Sequence, residues 1–394
     1  MRASAIRDAR VEPRHSSSRM ATASNLSRVA TARASSARSR RRRSRDSAAM
    51  TSTRATRVSR FADDYDVWLL DQFGLLHDGS TPYDGAVECV DALAAMGKRI
   101  YIVSNSSRGR EGTIARLASM GFSATAFRGA MTSGEVARRF ATRDADDWRT
   151  EKTTAMGDNF RRLRRAIDGA RSEGRRARAA HLTWSARGAI TLGEETNARI
   201  EIVDVSSADD AGDANAIERV DFVLAHGTEA IGRGDGKPCE TVDEETMRAL
   251  VERAAAAKVP LCVANPDFVT VSGETLVAMP GTLARYYVDK FNATHAGEDG
   301  EAYVCLMGKP SSIIYEELLW EIKAAGGDLD KSRVVAVGDS LAHDVAGGAR
   351  AGVDTVFVRG VGVHAAELKL RALEDVLREH PDATPTHVIE RFAW

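Results

Sequence analysis

The 394-residue chain has little cysteine: Cys89, Cys239, Cys262 and Cys305 are the whole complement. None forms a CxxC pair or stands at ligand spacing from a histidine, which excludes a disulfide framework and a zinc module. Cys262 and Cys305 lie in apolar runs and are expected to be buried and reduced. Aromatic residues make up 6% of the chain, too few to interleave its basic stretches as base-stacking platforms would. No stretch approaches the roughly 18 consecutive apolar residues of a membrane span, so a soluble mature protein is expected.

Lysine is missing from residues 1–60, which hold sixteen arginines and three acids, a net charge of +13. The remainder carries −14, and an acidic body argues against nucleic-acid binding. Residues 1–58 are rich in Arg, Ser, Ala and Thr with few acids and no apolar block, the composition of an organelle transit peptide. The abundance of Ser and Thr favours the chloroplast, with the mitochondrion as alternative. If the segment is not an import signal the protein is cytoplasmic, and the run Arg40-Arg41-Arg42-Arg43-Ser44-Arg45 leaves open a nuclear or nucleic-acid-binding tail, or a disordered one.

The folded part is organised around residues 65–79, where an apolar run delivers Asp71 and breaks at Gly74. Such a run reads as a buried strand of a parallel sheet, whose ligands gather beyond the carboxyl ends of its strands. A helix over 85–96, a strand over 99–103 ending in Ser104-Asn105, and a helix over 114–120 complete a βαβ unit. Residues 141–218 are charged and loosely patterned, with an Arg-rich stretch over 161–178 that reads as a solvated helix face. Strands are expected at 220–225 and 259–263, around a helix at 243–258. A final block predicts strands at 303–307, 333–337 and 355–358, with helices at 310–324 and 344–351. The chain therefore reads as a doubly wound α/β domain split by an α/β insertion, of roughly 160 to 170 residues, longer than loop statistics allow. The expected boundaries are 59–133 and 302–394 for the core and 134–301 for the insertion.

Gly308-Lys309-Pro310-Ser311 sets a cation before a helix start, and Gly338-Asp339-Ser340-Leu341-Ala342-His343-Asp344 sets two carboxylates at a strand end. Oxygen ligands of this kind suit Mg²⁺. Asp71, Ser104, Lys309 and Asp339 supply an acceptor, a hydroxyl, a cation and a metal ligand. In this order they resemble the haloacid dehalogenase superfamily, specifically its phosphatases with a large inserted α/β cap, such as relatives of nitrophenylphosphatase and of the nucleotide and pyridoxal phosphate phosphatases. Residues 82–86, 264–267 and 280–284 share the texture of that group.

The resemblance implies a phosphatase that hydrolyses a small phosphorylated metabolite. Asp71 would be the nucleophile that becomes an aspartyl-phosphate. Mg²⁺ would be held by Asp71, the backbone carbonyl of Phe73 and Asp339, with Asp344 nearby. Ser104, Asn105 and Lys309 would bind the phosphoryl group. It also implies a homodimer formed through the cap, while the acidic body and the lack of a long apolar stretch lead us to expect no nucleic-acid or membrane partner. One position departs from the pattern: Phe73 stands where such phosphatases carry a second, acid/base aspartate, which leaves good leaving groups as the favoured substrates. His77 and Asp78 are expected in a surface turn, with His77 the alternative proton carrier; His226, His343 and His364 read as loop or core residues, and Asn265 and Asp267 as a turn or the cap mouth. Loss of turnover, leaving a phosphometabolite- or Mg²⁺-binding protein, is the competing expectation.

Overall fold

The structure is a computed structural model. It describes residues 57–143, 157–185, 187–205, 216–234, 236–272, 275–326 and 329–394. The transit-peptide expectation for residues 1–58 falls almost wholly outside them. Val58 already belongs to the folded body, fully buried, with its N–H donating to the Ala393 carbonyl at 3.0 Å.

The chain opens on three core strands, β1 (Val67–Leu70), β2 (Arg99–Ser104) and β3 (Phe127–Thr132). It then builds the cap from β4 (Ala177–Thr183), β5 (Ile200–Ile202), β6 (Phe222–Ala225), β7 (Ala230–Gly232), β8 (Glu240–Thr241) and β9 (Leu261–Val263), a hairpin of β10 (Val269–Ser272) and β11 (Thr275–Ala278), and β12 (Val304–Leu306). The chain returns to the core as β13 (Val334–Gly338), β14 (Asp354–Val358) and β15 (His387–Ile389).

The core sheet is parallel throughout, in the order β15-β14-β13-β1-β2-β3. Successive strands run outward from β1 in one direction and outward from β13 in the other, so the order reverses between these two. That is where an open α/β sheet leaves a crevice at its carboxyl ends. All four β1 residues are buried. Val67 and Leu69 enter one apolar cluster and Trp68 and Leu70 the other, as a strand covered on both faces requires.

The cap has its own sheet, in the order β12-β9-β6-β4-β7-β8, with β5 paired to β4. Two expectations about the domain boundaries change here. The strand expected at 303–307 to open the second core segment is β12, and it pairs in parallel with β9 in the cap sheet. The helix Ser133–Thr142, placed by sequence in the insertion, packs on the core: Arg139 Nη2 lies 2.8 Å from Glu321 of the core helix Ile313–Ala324. An apolar run specifies a strand, but its choice of sheet depends on pairing with distant residues.

The Arg-rich stretch forms the helix Asp158–Ser172. Arg164 and Arg171 are not merely solvated. They donate to the carbonyls of Phe140, Ala141, Thr142 and Arg143, satisfying the orphan acceptors at the end of the helix Ser133–Thr142. Among the described residues no helix is long and apolar enough to cross a membrane.

Candidate active site

Six polar side chains converge at the crevice, each delivered by a chain segment that leaves a buried element. Asp71 follows β1, and its N–H still donates to Val337 of β13 at 2.9 Å, so the strand geometry aims the side chain. Ser104 and Asn105 end β2; Asp339 and Asp344 follow β13. Lys309 arrives differently from expectation, on the segment passing from cap strand β12 to the core helix Ile313–Ala324. All six residues are buried.

Lys309 Nζ lies 2.6 Å from Asp71 Oδ1 and 2.8 Å from Asp344 Oδ1. Asp344 Oδ2 also accepts from the Ser340 N–H at 3.1 Å, so both its oxygens are engaged. Asp71, Asp339 and Asp344 each bring a carboxylate oxygen within 4.8 Å of the others. Three buried carboxylates thus face one ammonium. Burial, helped by Asp344 against Lys309, raises the Asp71 carboxyl to about 7. Burial together with Asp71 and Asp344 holds Asp339 well above the carboxylate range. Burial opposes the charge of Lys309, yet Asp344 and Asp71 overcome it and raise its pKa. A cluster of hard oxygen donors with excess negative charge fits a divalent cation such as Mg²⁺.

Two glycines make room for this cluster. A Cβ on Gly74 (φ +87°) would sit 2.5 Å from Asp339 Oδ2, and one on Gly362 (φ +72°) 1.9 Å from the same atom. The residue after Gly362, Val363, donates its N–H to Asp339 Oδ2 at 2.6 Å. Sequence reasoning missed this clamp, whose sole signal was the pair of glycines, Gly360 and Gly362, that follows β14.

Ser104 Oγ accepts from Gln72 Nε2 at 2.6 Å and from the Ser106 N–H at 3.3 Å. Its own proton is thereby left to donate to a ligand. Asn105 is occupied otherwise: Nδ2 donates to Asp267 Oδ1 (2.8 Å) and to the Lys309 carbonyl (3.0 Å), while Oδ1 accepts from the Lys309 N–H (2.8 Å). Its side chain therefore positions Lys309 and anchors the cap residue Asp267, and has no amide hydrogen left for phosphate.

Phe73 is 40% exposed and its ring stands edge-on to His77 at 6.2 Å. His77 departs from the surface-turn expectation. It is buried, its Nδ1 accepts the Gly79 N–H at 2.9 Å, and burial lowers its pKa to about 4. A ring so held stays neutral and braces the loop; the turn itself is capped by exposed Asp78, whose Oδ1 accepts from the Ser80 and Thr81 N–H groups. His226 is buried against His181 in the cap, and His364 Nδ1 contacts Glu367. His343 Nδ1 lies 3.6 Å from Asp267 at the mouth of the site.

Two family models match the chain, "Haloacid dehalogenase-like hydrolase" over residues 68–165 and "HAD-hyrolase-like" over 306–394. Both models describe haloacid dehalogenase-like hydrolases, the family the chain matches over these two segments. A haloacid dehalogenase-like hydrolase from Brucella suis 1330 is 25% identical, with a TM-score of 0.57 over 86% of this chain and 99% of that one. A p-nitrophenyl phosphatase from Archaeoglobus fulgidus is 24% identical (TM-score 0.51; 84% and 97% covered). A glycerol phosphate phosphatase from Mycobacterium tuberculosis, in complex with calcium, is 19% identical (TM-score 0.51; 84% and 73% covered). No curated protein matches the chain. The chain has the α/β core and inserted cap that its motifs imply.

Proposed function

We propose that the protein is a Mg²⁺-dependent phosphatase that hydrolyses a small phosphate monoester through an aspartyl-phosphate on Asp71. The observation that carries this reading is the bridge of Lys309 between Asp71 and Asp344, inside a three-carboxylate cluster and beside the free hydroxyl proton of Ser104. The family match and the phosphatases among its structural neighbours support it, one of which binds calcium.

Asp71, Asp339 and the Phe73 carbonyl would hold the cation, which when bound offsets the charge of the carboxylates and of the phosphoryl oxygens. An Asp71 carboxylate oxygen attacks phosphorus; the new O–P bond forms as the ester O–P bond breaks, and the leaving oxygen departs with the electron pair. Water then cleaves the aspartyl-phosphate, releasing inorganic phosphate and restoring Asp71. Lys309 and Ser104 hold the phosphoryl oxygens in line and stabilise their charge, the kind of positioning that supplies most of phosphoryl-transfer catalysis. Asn105 holds the backbone of Lys309 in place.

Phe73 has no proton to give. A positioned acid or base contributes about 10²–10⁴-fold, so alkyl esters suffer most, while aryl and acyl phosphates leave as weak bases. The arginine-rich composition of residues 1–58 supports import into an organelle, the chloroplast first. The test is phosphate release by the full chain from aryl, acyl and alkyl phosphates, with Mg²⁺ or EDTA. Mg²⁺-dependent turnover favouring aryl and acyl esters is expected. Absence of turnover from every substrate, with ligand binding intact, would favour the phosphometabolite-binding alternative that Phe73 motivates.

A further inference from the structure

Strand β4 of the cap changes partner along one edge. Ala177–Ala179 pair in parallel with β5, and His181–Thr183 pair antiparallel with β7. A cavity of about 340 Å³ opens among these three strands, lined by His181 and Thr183 of β4, all of β5, and the end of β7. Volumes of this order hold small ligands. It contains none of the carboxylates of the catalytic cluster, so it is a separate place in the molecule.

Its floor carries an unfinished polar group. His181 is 4% exposed; its Nε2 meets His226 Nδ1 at 3.0 Å, and no hydrogen bond is made by its Nδ1 among the described residues. Gly232 keeps that nitrogen clear, because a Cβ there would stand 2.7 Å from it. Burial lowers the His181 pKa to about 4, so the ring is neutral and presents Nδ1 as a donor or an acceptor according to how the pair shares its proton.

The wall around the ring is cationic. Among the described residues, Arg176, Arg233 and Lys237 line it with one acid, Glu201. Arg233 is bound to Asp204 at 2.8 Å, whereas the Arg176 guanidinium donates only to the Asn197 carbonyl, and Lys237 forms no ion pair among the described residues. Gly232 and Gly234 make room for His181 and for the Ile202 carbonyl, while Gly236 (φ +71°) has no neighbour within 4 Å of where a Cβ would stand. A neutral imidazole and two exposed cations that form no ion pair among the described residues match a phosphate group, with the volume left over for a small organic body.

We propose that the cap cavity beneath His181 is a second, non-catalytic binding site for a small phosphate-bearing metabolite. It is distinct from the proposed active site and does not depend on turnover there. The test is a titration of the full chain, selectively labelled with ¹⁵N-histidine, with inorganic phosphate as the probe. A saturable shift of the His181 and His226 signals is expected. The shift persists in Lys309→Ala, which impairs the catalytic anion site. In Arg176→Ala/Lys237→Ala, whose other histidine signals report an intact fold, affinity falls by about tenfold or more, the loss of two charge-assisted contacts. The proposal is overturned if the His181 and His226 signals stay fixed while that of His343, at the catalytic mouth, moves. Equal affinity in the double variant would overturn it as well.

Discussion

The core is an α/β layer on a parallel sheet and the cap one on a mixed sheet, and they carry their polar groups in opposite ways. In the core, the carboxyl edge of the sheet holds an excess of buried negative charge: three carboxylates face one lysine, and each is held by backbone N–H groups or by Lys309. In the cap, described polar contacts are spread out and largely complete a fold, as when Arg164 and Arg171 cap a neighbouring helix. The difference teaches that charge left in excess marks chemistry, while charge spent on carbonyls marks architecture.

Substitutions can break or sharpen that contrast. The largest effect belongs to Asp71→Asn, which should lower kcat by about 10³-fold or more, as loss of a nucleophile does. Its thermal midpoint should hold or rise, since one of three mutually repelling carboxylates is gone; phosphate release and a melting curve check both. Lys309→Met should lower turnover by about 10²–10³-fold, comparable to loss of an oxyanion donor. Without metal it should also destabilise the chain by about 3–5 kcal/mol, because Asp71 and Asp344 lose their buried partner; denaturant unfolding in EDTA reads this.

Metal addition sharpens the same point without mutation. At a hundredfold excess over Kd, Mg²⁺ should stabilise the full chain by about 2.7 kcal/mol, and the gain should vanish in Asp339→Asn. The cap offers the smaller effects. Arg171→Ala leaves carbonyls at the end of the helix Ser133–Thr142 without its guanidinium, and should cost about 1–3 kcal/mol with kcat unchanged.

The mildest effect is one of pH. Burial depresses His181 to about 4, below the ordinary value near 6.5. The unfolded chain therefore takes up a proton that the folded chain refuses as pH falls between these two values. Stability contributed by the neutral ring is complete above the unfolded value and lost through that window. Urea midpoints at pH 7.5 and 5 should show this loss, and His181→Gln should reduce it.

The candidate site was largely legible because its motifs are local. Asp71, Ser104 and Asp339 each close an apolar run, so strand and functional group could be read together. Lys309 was recognised while its strand was assigned to the wrong sheet, since β12 shows its apolar character but not its partner β9. Asn105 was taken for a phosphate ligand, because a side chain that folds back on the Lys309 backbone has no signature in sequence. The central cap strand β4 escaped notice for a related reason. Its sequence Ala-Arg-Ala-Ala-His-Leu-Thr has little β-branched character, and pairing with β6 and β7 overrides that propensity. His77 looked like a loop histidine from its polar neighbours, and only the packed loop reveals it as buried.

The central claim is that Asp71 carries the phosphoryl group, and trapping tests it most directly. The full chain would be mixed with an aryl phosphate and Mg²⁺, quenched in acid, reduced with borohydride and digested for peptide mass spectrometry. Conversion of residue 71 to homoserine, absent from Asp71→Asn, is the predicted result. Continued turnover with residue 71 unmodified, or an Asp71→Asn chain as active as the parent, would contradict it.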